Sequence, residues 1–254
     1  MILEQFSLAG RVALVTGGGQ GLGQGIALGL AEAGADVAVS APGEADASVR
    51  QIEALGRRAL HLPLDLAAAS PEDLAGLIDQ VVAGLGRIDI LVNNAGIIHR
   101  QAAVDHAAPA WRRVMAINLD AAFFLAQAAG RAMVAQGGGK IIFIASMLSF
   151  QGGILVPSYT ATKHAVAGLA KALANEWAPA GVNVNAIAPG YMATDNTAAL
   201  RADPVRSEAI LSRIPAGRWG TPSDLAGVAV FLASPASDYL NGAIVPVDGG
   251  WLTR

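Results

Sequence analysis

No cysteine occurs among the 254 residues, which excludes disulfides, thiolate metal sites and a cysteine nucleophile. Charge is sparse: Asp, Glu, Lys and Arg make up 15% of the chain, the net charge is −3, and no run of Lys or Arg appears. Without a basic cluster, nucleic acid and anionic membrane are not expected partners. No apolar run reaches the roughly 18–20 residues that a spanning helix needs. Met1-Ile-Leu-Glu-Gln-Phe6 lacks a basic stretch followed by an apolar one, so it does not read as a signal peptide, and a cytoplasmic protein is expected. Gly/Ser linkers, low-complexity tracts and internal repeats are also missing. What is abundant is Ala, Leu, Val and Ile: 53% of the chain is hydrophobic. That suits a well-filled core with buried subunit contacts and argues against disorder.

Short β-rich runs alternate with longer helical patterns, the signature of βαβ units and a parallel sheet. Strands are expected at 11–16, 36–40, 59–64, 88–93, 140–145, 183–188 and 244–247. Several are nearly continuous apolar runs, as strands covered on both faces must be. The expected fold is α/β: one Rossmann-like domain over residues 1–254, with a doubly wound, seven-stranded parallel sheet and helices on both faces. Thr221-Pro-Ser-Asp224 predicts a capped helix start, with the helix running to about Ser234. The least regular stretch is about 190–218, which leaves the end of the sixth strand. Ligands bind beyond the carboxyl ends of strands in such sheets, so this segment is a candidate mobile substrate lid.

Thr16-Gly-Gly-Gly-Gln-Gly-Leu-Gly23 follows the apolar run Val12–Val15 and opens a stretch of helical spacing. Strand, glycine turn and helix N-terminus together form a pyrophosphate-binding arrangement. Gly17, Gln20, Gly21, Leu22 and Gly23 are therefore candidate cofactor residues; a tight turn without ligand is the alternative. Asn93-Asn-Ala-Gly96 ends the fourth strand, where Asn93, Ala95 and Gly96 would suit a backbone packed beside a ribose. Asp65, with Leu66 beside it, could accept from an adenine amino group or simply cap the next turn. Tyr159 and Lys163 stand four apart on one helix face. A free tyrosine has a pKa of about 10, and a neighbouring ammonium would favour its phenolate. Tyr159 is thus the candidate acid/base, Lys163 its activator, Ser146 the group that holds the substrate oxygen and Asn118 the holder of a relaying water. A buried serine, a kinking asparagine and a surface Tyr–Lys pair are the bland alternatives.

In these residues the chain resembles the short-chain dehydrogenase/reductases over essentially its whole length. The resemblance rests on Thr16-Gly-x-x-x-Gly-x-Gly23, Asn93-Asn-Ala-Gly96, Asn118, Ser146, Tyr159-x-x-x-Lys163, and Pro189-Gly190 with Thr194. It implies a Rossmann-like domain, a nicotinamide dinucleotide, a homotetramer or dimer, and contacts from Pro189, Gly190, Met192 and Thr194 to the nicotinamide end. Residues 144–153, 175–178, 185–194 and 213–220 narrow the resemblance to family members acting on sugar acids. Gluconate and a 3-oxoacyl thioester are the alternative substrates, and a non-catalytic dinucleotide sensor is the alternative of a different class. Arg100 is the candidate receiver of a sugar-acid carboxylate, with His99 and Arg201 nearby. Gln151 and Tyr191 are candidate partners for substrate hydroxyls. Arg213 and Arg218 read more simply as structural, and the four histidines are too scattered for a catalytic metal. The cofactor expected is NAD rather than NADP: the second strand ends Val39-Ser-Ala-Pro-Gly-Glu44, and no basic residue lies between Arg11 and Arg50 to meet a 2′-phosphate.

Overall fold

Alternation along each strand divides the core in two. In β1 (Val12–Thr16), Val12 and Leu14 join one buried apolar cluster while Ala13 and Val15 join another on the opposite face. The computed structural model describes residues 1–254. It contains seven parallel strands in the order β3-β2-β1-β4-β5-β6-β7. The others are β2 (Asp36–Ser40), β3 (Ala59–Leu62), β4 (Ile90–Asn93), β5 (Gly139–Ile144), β6 (Val182–Pro189) and β7 (Ile244–Val247). Helices α3 (Pro71–Leu85), α5 (Ala121–Ala135) and α6 (Pro157–Trp177) cover one face, and α1 (Gly21–Glu32) and α9 (Ala226–Ala233) the other, with α2 (Asp46–Ala54) beside α1. The chain moves outward from β1 to β3, then restarts with β4 on the other side of β1. The β1/β4 boundary is therefore the switch point at which ligands bind in open α/β sheets.

All seven expected strands are present, with their ends adjusted by local chemistry. β3 stops at Leu62 because Pro63 has no N–H for the ladder. β6 starts at Val182 and extends to Pro189 because it is paired on both sides, by β5 and β7. The helix expected from Thr221 begins as a tighter 3₁₀ turn, Pro222–Leu225, and becomes α9 at Ala226. Asp224 accepts the Thr221 N–H at 2.7 Å and its hydroxyl at 3.0 Å, which satisfies the start of that turn.

The stretch beyond β6 is more regular than its composition suggests. It forms a 3₁₀ turn at Asp195–Thr197, then α7 (Ala198–Ala202) and α8 (Pro204–Leu211). Asp203 caps α8 by accepting from Val205 N–H at 3.0 Å and Arg206 N–H at 3.1 Å, with Pro204 in the first helical position. A third, small apolar cluster lies beneath it, built on Met147, Ile210, Ile214 and Trp251. No helix is long and apolar enough to cross a membrane. Between β4 and β5, α4 (Ala108–Met115) passes through a π-helical turn, Ala116–Asp120, into α5. Asn118 sits in that turn.

Candidate active site

At the switch point lies a cavity of about 450 Å³, lined by the glycine turn, the residues after β2 and β4, Tyr159, Lys163 and Thr194–Asn196. Its floor is set by close backbone packing. A Cβ on Gly23 would stand 2.2 Å from the Gly17 carbonyl oxygen and 2.5 Å from the Asn94 amide nitrogen, so only glycine fits where α1 meets the turn. The Thr16 hydroxyl accepts from the N–H groups of Asn94 and Ala95, both at 3.0 Å, while the Asn94 side chain donates to Thr16 O at 2.8 Å. This lock fuses the β1 and β4 loops into one rim.

The helix ends differ in a way that bears on ligand binding. α3 is closed by its own capping box: Ser70 Oγ accepts from Asp73 N–H at 3.1 Å and Asp73 accepts from Ser70 N–H at 2.9 Å. α1, which opens on the cavity, receives no side-chain cap from Gln20. Its first-turn N–H groups and the positive end of its dipole are left for an anion. The cradle accordingly fits the pyrophosphate of a dinucleotide.

The candidate catalytic residues come from two parts of the chain. Ser146 lies two residues beyond β5, buried, with Oγ accepting from Leu148 N–H at 3.1 Å. Tyr159 and Lys163 come from α6, and the Lys163 nitrogen lies 5.4 Å from the centre of the Tyr159 ring. Lys163 is buried and donates to the Ile144 carbonyl; loss of hydration pulls its pKa down to about 8. For Tyr159 the dominant influence is desolvation, which raises the phenol above its ordinary value; a hydrogen bond with Ser146 and the charge of Arg100 act in the opposite direction. The expected lowering of Tyr159 by Lys163 is not found in the free cleft, where desolvation disfavours charge on both groups and Ser146 and Arg100, not Lys163, are what favour the phenolate.

Of the cofactor candidates, Gly17, Gln20, Gly21, Leu22, Gly23, Ala95, Gly96, Tyr159, Lys163 and Thr194 line this cavity. Asp65, Leu66, Asn93, Pro189, Gly190 and Met192 do not. The exposed Asp65 carboxylate accepts from Ala67 N–H at 2.9 Å, the turn-capping alternative. Asn93 points inward and donates to Ala122 O at 3.1 Å, so its neighbour Asn94 organises the rim. Pro189 and Gly190 lie against β7, and Met192 is buried beside Gly220. Asn118 has both ends of its carboxamide engaged: Oδ1 accepts from Ile97 N–H at 2.9 Å, and Nδ2 donates to Ile97 O at 3.0 Å and Thr162 Oγ1 at 3.3 Å. It ties the β4 loop to α6 one residue before Lys163.

On the substrate side, exposed Arg100 reaches across the mouth and donates to Asn196 O at 3.2 Å. Gln151 is half-buried on the loop between Ser146 and α6. The Tyr191 ring packs against Trp219 and Trp251, at 5.5 and 4.8 Å between centroids, and lines a separate cavity of about 170 Å³. That placement sets the ring in an aromatic cluster beside the residues that line the main cavity rather than among them. His99 bonds to Gln101 at 3.0 Å and Arg201 to Thr194 O at 3.2 Å. Arg213 lies 3.9 Å over the Trp251 ring and Arg218 pairs bidentately with Asp224 at 2.7 and 2.8 Å, both structural roles as expected. Asp195, Asn196 and the Ala41–Glu44 loop also line the main cavity; that loop is the segment after the second strand on which the expected dinucleotide preference rests, while the sequence carries no signal for Asp195 and Asn196.

Residues 17–252 match the family profile described as enoyl-(acyl carrier protein) reductase. A relative from Escherichia coli, 2-dehydro-3-deoxy-D-gluconate 5-dehydrogenase, is 58% identical over 100% of both chains. The chain belongs to the short-chain dehydrogenase/reductase family. It is an oxidoreductase that uses a nicotinamide dinucleotide. Two solved structures of family members superpose closely. One, from Agrobacterium tumefaciens with NADP bound, is described as a 2-deoxy-D-gluconate 3-dehydrogenase; it is 55% identical, with TM-score 0.92 over 98% of this chain and 99% of that one. The other, a gluconate 5-dehydrogenase from Burkholderia cenocepacia in complex with NADP and tartrate, is 42% identical, with TM-score 0.95 over 100% of each.

Proposed function

We propose that this protein interconverts the C5 hydroxyl and ketone of 2-dehydro-3-deoxy-D-gluconate. The observation that carries this reading is the joining of Ser146, Tyr159 and Lys163 beside the dinucleotide cradle, in a chain 58% identical end to end to an enzyme named for that reaction. When bound, the dinucleotide supplies the hydride donor or acceptor. Ser146 Oγ–H donates to the substrate oxygen, and the Tyr159 phenol gives it a proton during ketone reduction or takes one during alcohol oxidation. Lys163, one turn along α6, counters charge on the phenolate. The Arg100 guanidinium has only one backbone carbonyl as protein partner, which leaves donors for a carboxylate. We further infer that residues 190–218 close over the bound acid, and that the active assembly is a homotetramer.

The dinucleotide preference follows from charge. Beyond β2 the cavity is lined by Ala41, Pro42, Gly43 and Glu44, and Lys163 is its only cationic lining residue. A ribose 2′-hydroxyl suits that loop better than a 2′-phosphate, which supports NAD(H). The NADP in the two superposed structures favours the second reading, NADP(H).

Absorbance at the reduced-nicotinamide band tests both points, with NAD⁺ or NADP⁺ and either 2-dehydro-3-deoxy-D-gluconate or gluconate. Fast NAD⁺ reduction with the 3-deoxy acid is expected. Turnover confined to gluconate would move the substrate assignment, and a lower KM for NADP⁺ would reverse the cofactor preference.

A further inference from the structure

The segment beyond β6 is held unevenly. From Asp195 to Val205 no residue is buried, and Val205 is 76% exposed. Further on, Ile210 and Ile214 are 4% and 3% exposed, sealed into the small third cluster. That cluster draws chiefly on the rear of the lid, the Met147–Leu148 turn directly after Ser146, and the last residues of the chain through Trp251 and Leu252; from 195–205 only half-buried Leu200 packs against it.

The tail makes the most connections. The Trp251 ring packs against Tyr191 from one side while the Arg213 guanidinium covers it at 3.9 Å. Gly249 O accepts from Ala216 N–H at 2.9 Å, and Arg254 donates to Ser212 O at 2.8 Å. The tail itself is stiffened by Asp248, whose carboxylate accepts from Gly250 N–H at 2.8 Å and Leu252 N–H at 2.9 Å. None of these residues lines the dinucleotide cavity.

We propose that the carboxy-terminal segment Gly249–Arg254 is the fixed strut of the substrate lid, with Trp251 as the positioning residue that ties the rear of the lid to the turn carrying Ser146, leaving residues 195–205, which reach that cluster only through Leu200, as the part that moves. The inference rests on the lid reading above. It separates two functions that share one cleft: the strut sets the substrate side, while the glycine turn sets the dinucleotide side without it.

The test uses the full chain with Trp251→Ala, Trp251→Phe and Arg254→Gln. In Trp251→Ala, amides of residues 206–219 should exchange hydrogen about tenfold faster while those of α5 keep wild-type rates, since removal of one side of a packed cluster loosens only what it holds. Affinity for the reduced dinucleotide, read by its fluorescence, should stay within about threefold, whereas KM for the sugar acid should rise about tenfold with a smaller fall in kcat. Trp251→Phe should recover most of the loss, and Arg254→Gln should shift exchange and KM the same way by less. Unchanged exchange at 206–219, or dinucleotide affinity falling in step with KM, overturns the strut. If the Trp251→Ala chain fails to fold, the exchange pattern of Arg254→Gln decides. If wild type turns over no sugar acid, the substrate assignment fails, and exchange and dinucleotide affinity still decide the strut.

Discussion

Replacing Lys163 with methionine should destroy activity and yet stabilise the dinucleotide-free protein near neutral pH. The lysine is 5% exposed, and burial draws its pKa from 10.5 to about 8. A shift of that size corresponds to about 3 kcal/mol spent on holding the charged form in the fold. Methionine fills similar space without charge. It also deprives the Ile144 carbonyl of its donor, which returns roughly 1–2 kcal/mol of the gain. The expected net is about 1–2 kcal/mol in favour of the variant at neutral pH.

The pH dependence fixes the sign. Below about 8 lysine is protonated in both states and the full cost is present. Between about 8 and 10.5 the unfolded chain binds the extra proton, so wild type gains stability as pH rises, while the variant has no such term. Urea denaturation of both proteins, without dinucleotide, across that window measures the difference. A variant less stable than wild type at neutral pH, or a gap that does not narrow between about pH 8 and 10.5, refutes the reasoning.

Three further outcomes are expected. Tyr159→Phe should lower kcat by about three orders of magnitude or more while dinucleotide affinity, measured by fluorescence, stays near wild type, because only the proton carrier is removed. Gly23→Ala should abolish dinucleotide binding in a titration and lower stability by about 1–3 kcal/mol, because the new methyl meets the Gly17 carbonyl and the Asn94 amide, both of which are held. The kcat/KM for alcohol oxidation should climb with pH from neutrality upward, since the reaction consumes phenolate and burial raises the Tyr159 pKa; Arg100→Gln should move that climb to higher pH by removing a charge that favours phenolate.

Local sequence determined the frame. Strand positions were legible because a parallel sheet covered on both faces demands continuous apolar runs, and Val12–Val15 or Ile141–Ile144 can do little else. The glycine turn and the Tyr159/Lys163 spacing were legible because each is a short-range geometric requirement, met within eight residues or one helical turn. Tertiary structure decided everything that depends on which segments meet. Asn94, not Asn93, locks the rim because the pleat of β4 sends Asn93 inward to Ala122. Tyr191 joins Trp219 and Trp251, residues 28 and 60 positions later in a chain whose spacing records nothing of their contact. The raised pKa of Tyr159 likewise follows from desolvation in the folded cleft, a property of what surrounds the helix rather than of the residues four apart upon it.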